Sequence, residues 1–81
     1  MSEKPAYQRI GRNDAIYDDG VIKLNLTIEA YKAKDGKWGE AVYVLRPLRE
    51  LKPPLSPENI EQVVKNIQAT LEAEGRHCSI E

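Results

Sequence analysis

Val21-Ile22-Lys23-Leu24-Asn25-Leu26-Thr27-Ile28-Glu29-Ala30-Tyr31 is the stretch that decides the fold. Ile22, Leu24, Leu26, Ile28 and Ala30 alternate with Lys23, Asn25, Thr27, Glu29 and Tyr31, the period of two that marks a strand with one buried face. The pattern predicts a central strand from Val21 to Ala33, aliphatic on one side and mixed polar on the other.

Lys34-Asp35-Gly36 follows it, and extended chain resumes at Lys37 and Trp38. A three-residue loop with Gly36 in the left-handed position sets Ile28 opposite Val42 and Leu26 opposite Val44, keeping four aliphatics on one face. A two-residue turn would send Val42 and Val44 outward, so side-chain sorting selects the longer loop. The second strand is then expected from Trp38 to Leu48. Upstream, Asp18-Asp19-Gly20 is read as another hairpin loop, pairing a strand over Ala6 to Tyr17 with the central one. That register faces Ile16 to Ile22 and Ile10 to Ile28, with Gly11-Arg12-Asn13-Asp14 as a break or bulge.

Pro53-Pro54 withdraws two backbone donors, which makes residues 49–55 a connector. A helix start is written immediately after it: Ser56 as N-cap, Pro57 at the first helical position, Glu58 against the dipole, and Leu55 with Ile60 as a hydrophobic staple. Ile60, Val63, Val64, Ile67 and Leu71 recur at helical spacing, and Gly75 terminates the element. The tail at 76–81 either adds a short strand, with Cys78 and Ile80 on one side, or lies over the core. The expected fold class is therefore α+β, an antiparallel three-stranded β-meander packed on one C-terminal amphipathic helix, with that tail as a candidate extra strand. Residues 1–5 read as a disordered N-terminus, 6–48 as the meander and 56–74 as the helix.

One domain is the expectation for 81 residues. So short a chain buries only about 60% of its unfolded surface, a margin that small domains widen with disulfides, metals or self-association. Cys78 and His77 are the single cysteine and histidine, which excludes an intrachain disulfide and leaves a structural zinc short of ligands. A homodimer is the remaining device and is expected on that ground. A hydrophobic share of 41% with 31% charged residues suits a folded domain rather than a tail. No apolar run is long enough to cross a membrane, and Met1-Ser2-Glu3-Lys4-Pro5 lacks a signal-peptide core, so a cytoplasmic location is expected.

In the expected register all four tyrosines, being odd-numbered, fall on the face away from the helix. Tyr7 then stands opposite Tyr31, and Tyr43 sits beside Thr27, with Arg9 and Lys23 among them. Three readings fit this face: tyrosines half-burying as good strand formers, a protein or dimer interface, or a platform on which bases stack while cations track phosphates. A net charge of −1 argues against a generic nucleic-acid binder. The charge is uneven, however, +2 over residues 1–52 (ten Lys/Arg, eight Asp/Glu) and −3 over residues 53–81 (two against five).

The hairpin Val21-Ile22-Lys23-Leu24-Asn25-Leu26 to Tyr31, the turn Lys34-Asp35-Gly36-Lys37-Trp38 and the helix start Leu55-Ser56-Pro57-Glu58-Asn59 together resemble the single-stranded DNA-binding domain of the positive cofactor four family of transcriptional coactivators. The resemblance covers about residues 10–67. It implies a dimer formed through the helix, a sheet presented to single-stranded DNA, and Arg9, Lys23, Tyr31, Trp38 and Tyr43 as binding residues. The sequence departs from that pattern in being acidic overall and in carrying Asp14, Asp18 and Asp19 near the first hairpin.

The candidate partner-binding residues are thus Tyr7, Arg9, Lys23, Tyr31, Trp38 and Tyr43, for single-stranded nucleic acid or for a protein. No catalytic residue, metal ligand or cofactor is expected. Asp14, Asp18 and Asp19 fit a turn better than a calcium loop. His77 and Cys78, adjacent in an extended tail, point to opposite faces and cannot act as nucleophile and base. Lys4, Arg9 and Arg12, and Arg46, Arg49 and Lys52, read as scattered surface charge. Trp38 is either an exposed hot spot beside the glycine turn or a cap on the core edge. The expected function is a small non-catalytic binding module, or else a structural subunit of a larger assembly.

Overall fold

The computed structural model describes residues 6–81; the expected disordered start and the Lys4 end of the basic arm lie outside the described residues. The fold is α+β, with β1 (Tyr7–Arg9), β2 (Asp14–Asp18), β3 (Lys23–Lys32), β4 (Trp38–Tyr43), α1 (Leu45–Arg49), α2 (Pro57–Ala73) and β5 (His77–Ile80). Among the described residues the strands form one mixed sheet in the order β1-β2-β3-β4-β5, of which only the β4–β5 pair is parallel. The sheet thus has five strands, where the sequence pattern suggested three and a tail.

The β3–β4 hairpin has the expected register. Ile28 pairs with Val42, and the Ala33 N–H bonds the Lys37 carbonyl across a three-residue loop whose Gly36 has φ +84°. The first hairpin corrects the reading. Its loop holds four residues, because the Asp19 carboxylate accepts the Val21 and Ile22 amides at 2.9 and 2.8 Å while Asp18 accepts that of Gly20. Tyr17 therefore pairs with Leu24 and Ala15 with Leu26. One extra loop residue reverses the side-chain parity of everything upstream. Ala15 and Tyr17 go into the core, Ile16 turns outward, and Ile10 is exposed.

The single strand expected over Ala6 to Tyr17 is in fact two. Ile10 and Gly11 both donate to the Asp14 carbonyl, and the chain reverses completely so that Tyr7 lies opposite Tyr17. Tyr7 is consequently buried on the helix side and does not face Tyr31. Downstream, β4 stops at Tyr43. Pro47 has no amide for a ladder but fits the first turn of a helix, so residues 45–49 coil and bury Leu48.

In α2 the Ser56 hydroxyl accepts the Asn59 N–H at 3.2 Å, Pro57 opens the first turn, and Gly75 follows the C-cap with φ +74°. Val63, Ile67 and Leu71 are fully buried against Leu24, Leu26, Ile28 and Val42, with Ile60 and Leu55 packed at the margin. The tail forms β5 beside β4, and Cys78 and Ile80 pack on the core.

Candidate binding surfaces of the sheet

Among the described residues, the side facing α2 carries one buried charge. Glu40 belongs to the aliphatic parity of β4, opposite Ala30, and is 2% exposed. It accepts hydrogen bonds from the Tyr7 hydroxyl and, at 2.7 Å, from the Arg9 Nε; Arg9 reaches on to Glu74 at 3.4 Å. In a flat sheet three strand spacings, about 14 Å, would separate β1 from β4. The bonds therefore record a sheet curled around the helix. The hydrogen bond to Glu40 holds the Arg9 guanidinium above its ordinary range. Burial, helped by Glu40, raises the Tyr7 phenol.

Tyr17 closes a second tie. Its hydroxyl donates to Asp19 Oδ2 at 2.7 Å and accepts from Asn66 Nδ2 of α2 at 2.9 Å. Burial pushes its phenol up to about 12. An unfolded chain loses this proton near pH 10, about two pH units sooner. Tyr17 therefore favours the folded state fully below pH 10, and that contribution is lost as pH rises through about 12. The urea midpoint should fall over that window.

The opposite face presents Asp14 and Asp18 from β2, Lys23, Asn25, Thr27, Glu29 and Tyr31 from β3, Tyr43 from β4, and His77 and Ser79 from β5. At its α1 end lies an open groove of about 540 Å³, lined by Asn25, Thr27, Glu29, Tyr43, Arg46, Pro47 and Glu81. The groove lies where residues of β3, β4 and α1 and the terminal Glu81 come together, with Tyr43 and Pro47 both in its wall. The Tyr43 hydroxyl donates to Glu29 Oε2 at 3.1 Å, and that bond raises its pKa. Arg46, with nearly all its side chain in water, reaches Glu50 at 3.2 Å, so the groove carries two carboxylates, Glu29 and Glu81, against one cation.

Of the six candidate residues, Lys23, Tyr31 and Tyr43 share this outer face. They are strung out rather than clustered. Lys23 and Tyr31 sit at the two ends of β3, about 26 Å apart at strand rise. Tyr31 lies over Gly39, where a Cβ would stand 2.5 Å from its Cζ. Tyr7, Arg9 and Trp38 fall on the helix side. Trp38 is 57% exposed at the hairpin end, the exposed alternative of its two readings.

No family model, curated protein or solved structure matches the chain. Among the described residues, no group of three His, Cys, Asp or Glu side chains could hold a metal ion. Asp18 and Asp19 are occupied with loop amides. His77 Nε2 meets Asp35 Oδ2 at 2.8 Å, while Cys78 points into the core, where burial raises its thiol. Glu40 and Glu81 are the residues that sequence reasoning missed. The correct β3–β4 register already placed Glu40 opposite Ala30 on the aliphatic face, so that signal was present.

Proposed function

We propose that the protein is a non-catalytic binding module whose outer sheet face takes a lysine- or arginine-bearing segment of another protein. The observation that carries this reading is the groove lined by Tyr43, by Glu29 at its hydroxyl and by Glu81, two carboxylates against the single cation Arg46. A cationic side chain entering it meets two carboxylates and an aromatic face, both attractive to a cation. A phosphate backbone would meet those same carboxylates with Asp14 and Asp18 beyond them, against Arg46 in the groove and Lys23 at the far end of β3. Nucleic-acid affinity rests on cations that neutralise phosphates, and here the balance has the opposite sign.

A labelled oligo-arginine peptide and a labelled oligothymidylate, compared by fluorescence anisotropy at low salt, separate the two ligand classes. The peptide should bind, and Glu29→Lys should weaken it roughly tenfold, a loss of about 1.4 kcal/mol. Tighter binding of the oligothymidylate, or peptide binding indifferent to Glu29→Lys, would overturn the proposal.

A further inference from the structure

The edge of the sheet at β5 is built to accept another strand. The Glu81 N–H donates to the Val42 carbonyl at 2.9 Å, and the Val44 N–H donates to the Glu81 carbonyl at 3.0 Å. Backbone groups of a strand alternate in direction, so the odd residues of β5 face β4. Cys78 and Ile80 then direct their N–H and C=O groups to the open side. Among the described residues neither amide finds a partner there. Their side chains are only half-buried, packed at the margin of the core. The strand is short, but His77-Cys78-Ser79-Ile80 has no lysine, proline or bulge to blunt it as an edge. The other edge differs in that β1 is tied inward through Tyr7 and Arg9.

We propose that this edge is completed by β5 of a second copy of the chain, running antiparallel about a two-fold axis at Ser79. Only outward-facing residues can exchange hydrogen bonds, which requires Cys78 and Ile80 to pair with each other or with themselves. Pairing Cys78 with the partner's Ile80 uses both sets of outward groups and joins two apolar side chains on the core face. It also sets the His77 ring, already beside Asp35, against the partner's Glu81, so that an imidazole rather than a second carboxylate faces that side chain. Sliding by two residues, with Cys78 on its own copy, would put Ile80 opposite the partner's Arg76 and lose both matches. The result is one continuous sheet across two subunits, with Glu81, which also lines the proposed cation groove, as the residue the two surfaces share.

The register makes a cross-linking test sharp. On the axis, Ser79 lies about 4.5 Å from its copy between Cα atoms, within disulfide reach, whereas His77 lies about 14 Å from its own copy. In a Cys78→Ser background, Ser79→Cys should yield a covalent dimer on mild oxidation with diamide, and His77→Cys should not. Sedimentation velocity of the unmodified chain should show a concentration-dependent dimer. Ile80→Pro, which removes one outward amide and none facing β4, should shift it to monomer while far-ultraviolet circular dichroism is retained. A monomer at every concentration, equal cross-linking from both cysteine variants, or a dimer that survives in folded Ile80→Pro would each overturn the proposal.

Discussion

Arg9→Ala is expected to lower the unfolding free energy by about 2–3 kcal/mol in urea melts, less than the 3–5 typical of breaking a wholly buried pair. The reason for the discount is that Arg9 keeps 31% of its side chain in water while Glu40 keeps 3%. What the substitution leaves behind decides the magnitude. Glu40 remains buried with one donor, the Tyr7 hydroxyl, and the desolvation of its charge is no longer offset. Replacing Glu40 as well, in an Arg9→Ala/Glu40→Gln double variant, removes the stranded charge and should restore part of the loss. A single variant costing no more than an ordinary surface substitution, or a double variant costing the sum of the two singles, would show that the ion pair does not hold β1 to β4.

Ile67→Ala should cost still more, about 3–4 kcal/mol, from lost transfer free energy plus the cavity left between sheet and helix. Ile67 has no exposed surface and lies midway between Val63 and Leu71 on the buried stripe of α2. A chain of this size has a total stability of only about 4–12 kcal/mol, so the variant uses a large share of it. Its thermal midpoint should drop by roughly 15 °C or more. Ile60→Ala, at the partly exposed end of the same stripe, supplies the comparison: equal losses at both positions would refute the packing described for the helix.

Legibility in the sequence followed the range of the deciding interaction. Ser56, Pro57 and Gly75 act within one helical turn, and the helix appears where they placed it. The β3–β4 register was legible because Gly36 and the aliphatic alternation agreed. The first hairpin was ambiguous by composition, since Ile16 and Tyr17 can each face a core. Its parity was decided by the carboxylate of Asp19 gathering two loop amides, a detail to which hydrophobic pattern is blind. The reversed parity carried Tyr7 and Arg9, two of the six candidates, from the outer face to the helix side. The parallel β5 and the α1 turn that walls the groove depend on contacts between distant segments, which periodicity does not encode. Glu40 was a different case, in which the correct register was in hand and its implication was passed over.

The parallel pairing of β5 also shapes the entropy of the fold. Gly39 meets His77 across a separation of 38 positions (77 − 39), whereas Lys32 meets Trp38 across 6 (38 − 32). For a flexible chain the longer closure costs roughly 1.6 kcal/mol more. α2 changes that comparison by acting as a strut. Its 17 residues form a rod about 26 Å long that returns the chain along the sheet and leaves Glu74, Gly75 and Arg76 as the short link into β5. Ordering the helix thus prepays most of the search that the last strand would otherwise make, and it couples the two elements into one cooperative unit.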